Sequence, residues 1–199
     1  MCTLIKLTLN MQVEKELDED LGVVFSQATT DGIRRCRNKC CFCFVDQMPS
    51  GLRPSLYVKD DDWRLSVLQG NFVTLTNLGP EDIERLTTEH LSPLYISVHT
   101  LNGHLRKQMM GNPRAAAIGE QLTTLAKARL ELHCQIVVCP GLNDGTELEQ
   151  TVNKLAQLYP AVASVAAVPV GLTKFRNQLA VLNPFSQKSA IALLEWAQE

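Results

Sequence analysis

Four of the seven cysteines of this 199-residue chain fall within eight residues, at Cys36, Cys40, Cys41 and Cys43. Three of them, Cys36, Cys40 and Cys43, stand in a Cys-x3-Cys-x2-Cys order, and a loop at that spacing can turn three sulfurs toward one point. Thiolates gathered in this way suit a cluster of iron and sulfide or a single zinc ion. One coordination position has no local cysteine. A structural site usually closes its ligand set, whereas a reactive one keeps a position open for substrate or cofactor. Zinc would need a fourth ligand, and none of His90, His99, His104 and His133 stands at a short, finger-like spacing from the triad. Cys41 could replace Cys40 as a ligand, but neighbouring side chains in an extended loop point in opposite directions, so the two are not expected to bind together. Cys134 and Cys139, in an apolar run, read as small buried hydrophobes. Asp60-Asp61-Asp62 could serve magnesium or general-base chemistry; it reads more simply as a solvated or helix-capping acidic turn. Asn143-Asp144-Gly145 reads as a turn and cap.

The elements that must position these residues follow from the punctuation of the chain. Residues 1–20 are charged and aperiodic, an exposed lead-in or the remnant of an upstream domain, and 21–199 reads as one core domain. Residues 21–26 are a short strand candidate, and 32–35 run into the cysteine loop as the end of another. After a turn at 48–51 and a mixed segment at 55–68, strands are expected at 71–77, 94–99, 132–138 and 161–168. Helices are expected at 80–89, where Pro80 and two acids suit a helix start, at 113–130, at 146–158, and from a Ser186 cap through 198. Strands alternating with helices in this way give an α/β fold with a parallel sheet, and the apolar strands predict that the sheet is covered on both faces. Ligands of parallel sheets and barrels collect at the carboxyl ends of the strands. The cysteine loop, Thr76-Asn77, Ser97 to His99, Pro140-Gly141 and 169–171 all follow strands and should meet at one rim.

The charge balance, 19 basic against 21 acidic residues for a net of −2, gives no global field toward nucleic acid or an anionic membrane. No apolar run approaches the roughly 20 residues needed to span a bilayer, and the start has no signal-peptide pattern. A cytoplasmic location is expected. In a reducing compartment, clustered thiols serve metals or catalysis more often than disulfides.

The motif Cys36-x3-Cys40-x-Phe42-Cys43, with an aromatic before the third cysteine, resembles the cluster loop of the radical S-adenosylmethionine (SAM) superfamily. The longer run from Cys36 through Ser66 is similar to the bacterial PDZ-linked iron–sulfur oxidoreductases of unassigned substrate. Gly70 to Leu78, Ser97 to Thr100, Pro140 to Asp144 and Pro169 to Lys174 continue that resemblance over about residues 20 to 199.

The resemblance implies a partial (β/α) barrel of the TIM-barrel-like type holding a [4Fe–4S] cluster on Cys36, Cys40 and Cys43, with SAM chelating the fourth iron. Reduction of the cluster would cleave SAM to methionine and a 5′-deoxyadenosyl radical that removes hydrogen from an unknown substrate. It further implies an electron donor such as flavodoxin or ferredoxin. By position, Phe42 would lie beside the adenine or the cluster. Thr76 and Asn77 stand where the superfamily often has a Gly-Gly-Glu segment at the SAM amino group. Ser97 and His99 could bind ribose or carboxylate, His99 reading equally as a hydrogen-bonded structural histidine, and the backbone around Val168 to Val170 could lie against adenine. Arg34, Arg35, Arg37 and Lys39 would either offset the anionic cluster or stand as a screened, solvated face. A rival reading is a non-catalytic zinc- or iron–sulfur-binding interaction domain that keeps the fold without turnover.

Overall fold

A computed structural model describes residues 12, 14–20, 22, 24, 28–29 and 31–198. They fall in two compact units, Met1–Gly32 and Ile33–Glu199. In the first, the described stretch 14–20 is exposed and contains a turn closed by the Glu19 N–H on the Glu16 carbonyl. The strand expected at 21–26 lies largely outside the described residues. No described helix is long and apolar enough to cross a membrane.

The second unit is α/β. Its elements run α1 (Trp63–Gln69), α2 (Pro80–Thr88), β1 (Leu94–Ser97), α3 (Gly103–Met110), α4 (Ile118–Lys127), β2 (Leu132–Val138), α5 (Gly145–Ala156), β3 (Val162–Pro169) and α6 (Gln187–Trp196), with 3-10 turns at Pro54–Tyr57 and Pro113–Ala117. Among the described residues the strands form one parallel sheet in the order β1-β2-β3. Several boundaries follow from local chemistry. Asp62 caps α1 by accepting the Arg64 N–H, Gly70 ends it in the left-handed region, and Ser186 caps α6 on the Ser189 N–H.

Along β2 the even positions Leu132, Cys134, Ile136 and Val138 are buried. They join Leu94, Ile96, Leu122, Leu125, Leu148 and Leu155 in the main core between sheet and helices. A second, smaller apolar cluster of Phe42, Met109, Cys139 and Val170 sits at the cysteine loop.

Three expectations need correction, and one helix was not among them. The sheet is not covered on both faces. The odd residues of β2 are only half-buried, and β3 is exposed over most of its length after Val162. The strand expected at 71–77 shrinks to a single parallel bridge, Val73 to Ile96. The extended run stops there because Thr74 gives its N–H to the Asp61 carboxylate and Leu75 takes a left-handed φ of 61°. The helix expected over 113–130 opens with the 3-10 turn, and α4 begins at Ile118. Helix α3 was not foreseen: its inward face carries Arg106, which reads as a surface residue in a pattern of hydrophobicity but is fully buried.

Candidate functional site

Residues 34–40 run extended, and their side chains alternate. Arg35, Arg37 and Lys39 are exposed, whereas Arg34, Cys36, Asn38 and Cys40 turn inward, as the period of two in an extended chain requires. Main-chain bonds fix this segment from both sides. The Cys36 N–H donates to the Lys59 carbonyl at 2.9 Å, and the Asp61 N–H donates to the Arg34 carbonyl at 3.0 Å. On the other side Lys39 and Cys41 donate to the carbonyls of Met110 and Met109, each at 2.8 Å. These are C-terminal carbonyls of α3, which a helix leaves without an internal partner. Gly111 makes the approach possible: it sits at φ 57°, and a Cβ there would stand 3.0 Å from Lys39 Cβ.

The three thiols of the motif are electrostatic neighbours. Burial raises the Cys36 thiol, and burial together with the charges of Cys36 and Cys43 raises Cys40 further. Both therefore hold their protons near neutral pH, and any metal ion bound there would have to displace them. Lys59 faces the thiols; although burial opposes its charge, the Asp46 carboxylate at 2.8 Å and the cysteines keep the ammonium above its ordinary range. Among the described residues no three His, Cys, Asp or Glu side chains converge as a ready-made metal-binding group. The donor set is nonetheless what an iron–sulfur cluster requires: three soft sulfurs on one fixed loop, with a cation beside them.

Cys41 points elsewhere. It packs against the small apolar cluster that contains Cys139, and the interaction of the two thiols lowers the pKa of Cys41 and raises that of Cys139. Its carbonyl accepts from Arg176 at 3.1 Å.

Of the other residues singled out in the sequence, Phe42, His99 and Val170 come together. The rings of Phe42 and His99 are 4.5 Å apart, and Phe42 and Val170 share one apolar cluster. Ser97, at the end of β1, donates its N–H to Val73 and accepts from Arg106 at its carbonyl. Thr76 and Asn77 serve the cysteine strand. The Thr76 hydroxyl meets Asn38 and Asp61, and the Asn77 amide donates to the carbonyls of Arg35 and Asp61.

The three aspartates are distributed rather than convergent. Asp60 accepts from Asn71 and Asp61 from Thr74, while Asp62 holds Arg34 N–H and the Arg64 guanidinium. The sequence reading missed Asn38, Lys59 and Arg106. Asn38 alone had a visible sign, an uncharged residue inside a basic run.

His99 is buried with a left-handed φ of 64°. Burial and the Arg106 charge lower its pKa to about 3, so the ring is neutral. Its Nδ1 accepts the Val137 N–H at 3.2 Å, which assigns the proton to Nε2. The folded value lies below the ordinary 6.5, so the stability tied to this ring is complete above about pH 6.5 and drains as pH falls toward 3. Asp62 and Asp82, whose carboxylates are held below their ordinary range by hydrogen bonds that outweigh burial, lose their contribution only below about pH 4. Between pH 6.5 and 4.5, His99→Asn, which tolerates the left-handed backbone, therefore flattens the decline in unfolding free energy by up to about 1.4 kcal/mol per pH unit. Urea unfolding at pH 7 and pH 5 measures it, and an unaltered slope would refute the assignment.

A family model described as a radical SAM-like domain matches residues 15–165. The chain belongs to the radical SAM-like domain family. Two solved structures share the fold of this radical SAM-like chain. The crystal structure of Streptococcus suis SuiB aligns with a TM-score of 0.54 at 11% identity, over 83% of this chain and 44% of SuiB. SuiB bound to S-adenosylmethionine aligns with a TM-score of 0.56 at 13% identity, over 83% of this chain and 45% of SuiB. The chain thus spans less than half the length of SuiB. No curated protein sequence matches it. With its parallel sheet the chain is consistent with part of a (β/α) barrel.

Proposed function

We propose that this radical SAM-like chain holds a [4Fe–4S] cluster on Cys36, Cys40 and Cys43 and binds SAM beside it, as the core of an enzyme acting on a substrate still unknown. The observation that carries the reading is the cysteine loop, with its inward thiols fixed by main-chain bonds next to the wall of Phe42, His99 and Val170 at the carboxyl ends of the strands. When bound, such a cluster supplies one electron to the sulfonium of SAM, the chemistry by which a radical reaction is begun.

The chain's own residues have separable tasks. Phe42 and Val170 exclude water from the sulfurs. Neutral His99 offers its Nε2–H to an acceptor on the ribose or carboxylate, and Ser97 lies at the same strand end. The hydroxyl of Thr76 and the amide of Asn77 are engaged by the cysteine strand, so their contact to the SAM amino group narrows to main-chain carbonyls. Lys59 offsets negative charge at the thiolates. The run from Cys36 to Ser66 supports the finer assignment to the PDZ-linked iron–sulfur oxidoreductase type, with flavodoxin or ferredoxin as electron donor.

Anaerobic reconstitution with iron and sulfide, followed by reduction with SAM present, tests the reading. A brown cluster and release of 5′-deoxyadenosine are expected. Stoichiometric zinc without SAM cleavage overturns it in favour of a non-catalytic metal-binding domain.

A further inference from the structure

Asn38 lies between Cys36 and Cys40, is 3% exposed, and makes four side-chain hydrogen bonds. Its Oδ1 accepts from Asn112 Nδ2 at 2.6 Å and from the Thr76 hydroxyl at 3.1 Å. Its Nδ2 donates to Thr74 Oγ1 at 2.9 Å and to Cys36 Sγ at 3.3 Å.

The direction of these bonds is fixed by a charge behind them. The Asp61 carboxylate, itself buried, receives both the N–H and the hydroxyl of Thr74, each at 2.6 Å. An ionised carboxylate can only accept, so the Thr74 hydroxyl must donate to it and can take the Asn38 bond only as an acceptor. Asn112 can offer Oδ1 of Asn38 only a donor from its Nδ2. The amide of Asn38 therefore cannot be flipped without placing two acceptors face to face and two donors face to face. One N–H is spent on Thr74, and the other is aimed at the sulfur.

We propose that Asn38 is a positioning residue for Cys36, held by Asp61, Thr74, Thr76 and Asn112 so that its side-chain N–H withdraws electron density from that sulfur and raises the reduction potential of the iron–sulfur group. The proposal rests on the cluster reading above. Hydrogen bonds to ligand sulfur stabilise the reduced, more negative state, and they are among the levers by which a protein sets such potentials. A purely structural asparagine would change stability or cluster occupancy without moving the potential of the clusters that form.

The test uses the full chain, reconstituted anaerobically with iron and sulfide and titrated redox-potentiometrically by electron paramagnetic resonance. Asn38→Ala is expected to shift the one-electron equilibrium roughly tenfold toward the oxidised form, about 59 mV lower. A loaded variant whose potential equals that of the wild type overturns the proposal. Since Asn38→Ala opens a buried network and can fail to fold, wild-type protein carrying nitrogen-15 at asparagine side-chain amides supplies a second readout. Pulsed resonance of the reduced cluster should show a coupled amide nitrogen, and its absence also overturns the proposal. A wild-type chain that takes up iron as no cluster at all overturns the functional reading itself, a different outcome from either.

Discussion

Arg106→Leu is expected to lower the free energy of unfolding by about 3–5 kcal/mol, a large part of the 5–15 kcal/mol typical of a domain. The guanidinium is fully buried and donates to four main-chain carbonyls: Val98 at 2.8 Å, Ala115 at 2.7 Å, Thr74 at 2.9 Å and Ser97 at 2.8 Å. It ties the end of β1, the broken strand at Val73 and the 3-10 turn Pro113–Ala117 to helix α3. Burial lowers its pKa to about 10, so the cation persists at neutral pH. A leucine fills part of the volume and leaves those carbonyls without their donor in a dry interior, where each orphaned group costs about 1–3 kcal/mol before relaxation. Arg106→Lys keeps the charge but cannot reproduce the planar fork, and should lose less. Urea unfolding at neutral pH distinguishes the two variants, and equal losses would show that the geometry of the fork is irrelevant.

Cys40→Ala should abolish the iron–sulfur absorbance of the reconstituted protein, whereas Cys41→Ala should retain it. Both thiols are half-buried, and their electrostatic neighbours separate them. Cys40 turns inward with Cys36 and Asn38, and its thiol feels Cys36 and Cys43 as its strongest charged neighbours. Cys41 turns to Cys139 across the small apolar cluster. Removing Cys41 costs part of the packing of the small apolar cluster; removing Cys40 leaves two sulfurs, too few for the proposed site. Iron and sulfide content per chain, with the visible spectrum, gives the answer, and the opposite pattern would assign Cys41 as the ligand.

How much of this was legible in the sequence varies with the range of the forces involved. The bounds of β2 were readable because Leu132 to Val138 is a local apolar, β-branched run, although its half-buried odd face was not, and α6 because Ser186 supplies its own cap. The strand expected at 71–77 failed because Asp61, distant in sequence, captures the Thr74 N–H. α3 was hidden because its buried member is an arginine satisfied by carbonyls from three other segments. At the site, cysteine spacing and the rim position of Phe42, His99 and Val170 could be anticipated. The service of Thr76, Asn77 and Asp61 to the cysteine strand could not, since it depends on tertiary pairing of 34–36 with 59–61.

The two carbonyls at the end of α3 that receive Lys39 and Cys41 join the order of the cysteine segment to that of the helix. Fixing a residue's backbone costs roughly 1–2 kcal/mol, and main-chain bonds to α3 on one side and to residues 59–61 on the other offset that cost. A substitution that frays the last turn of α3 would therefore loosen the thiol segment as well, although the two lie far apart in sequence.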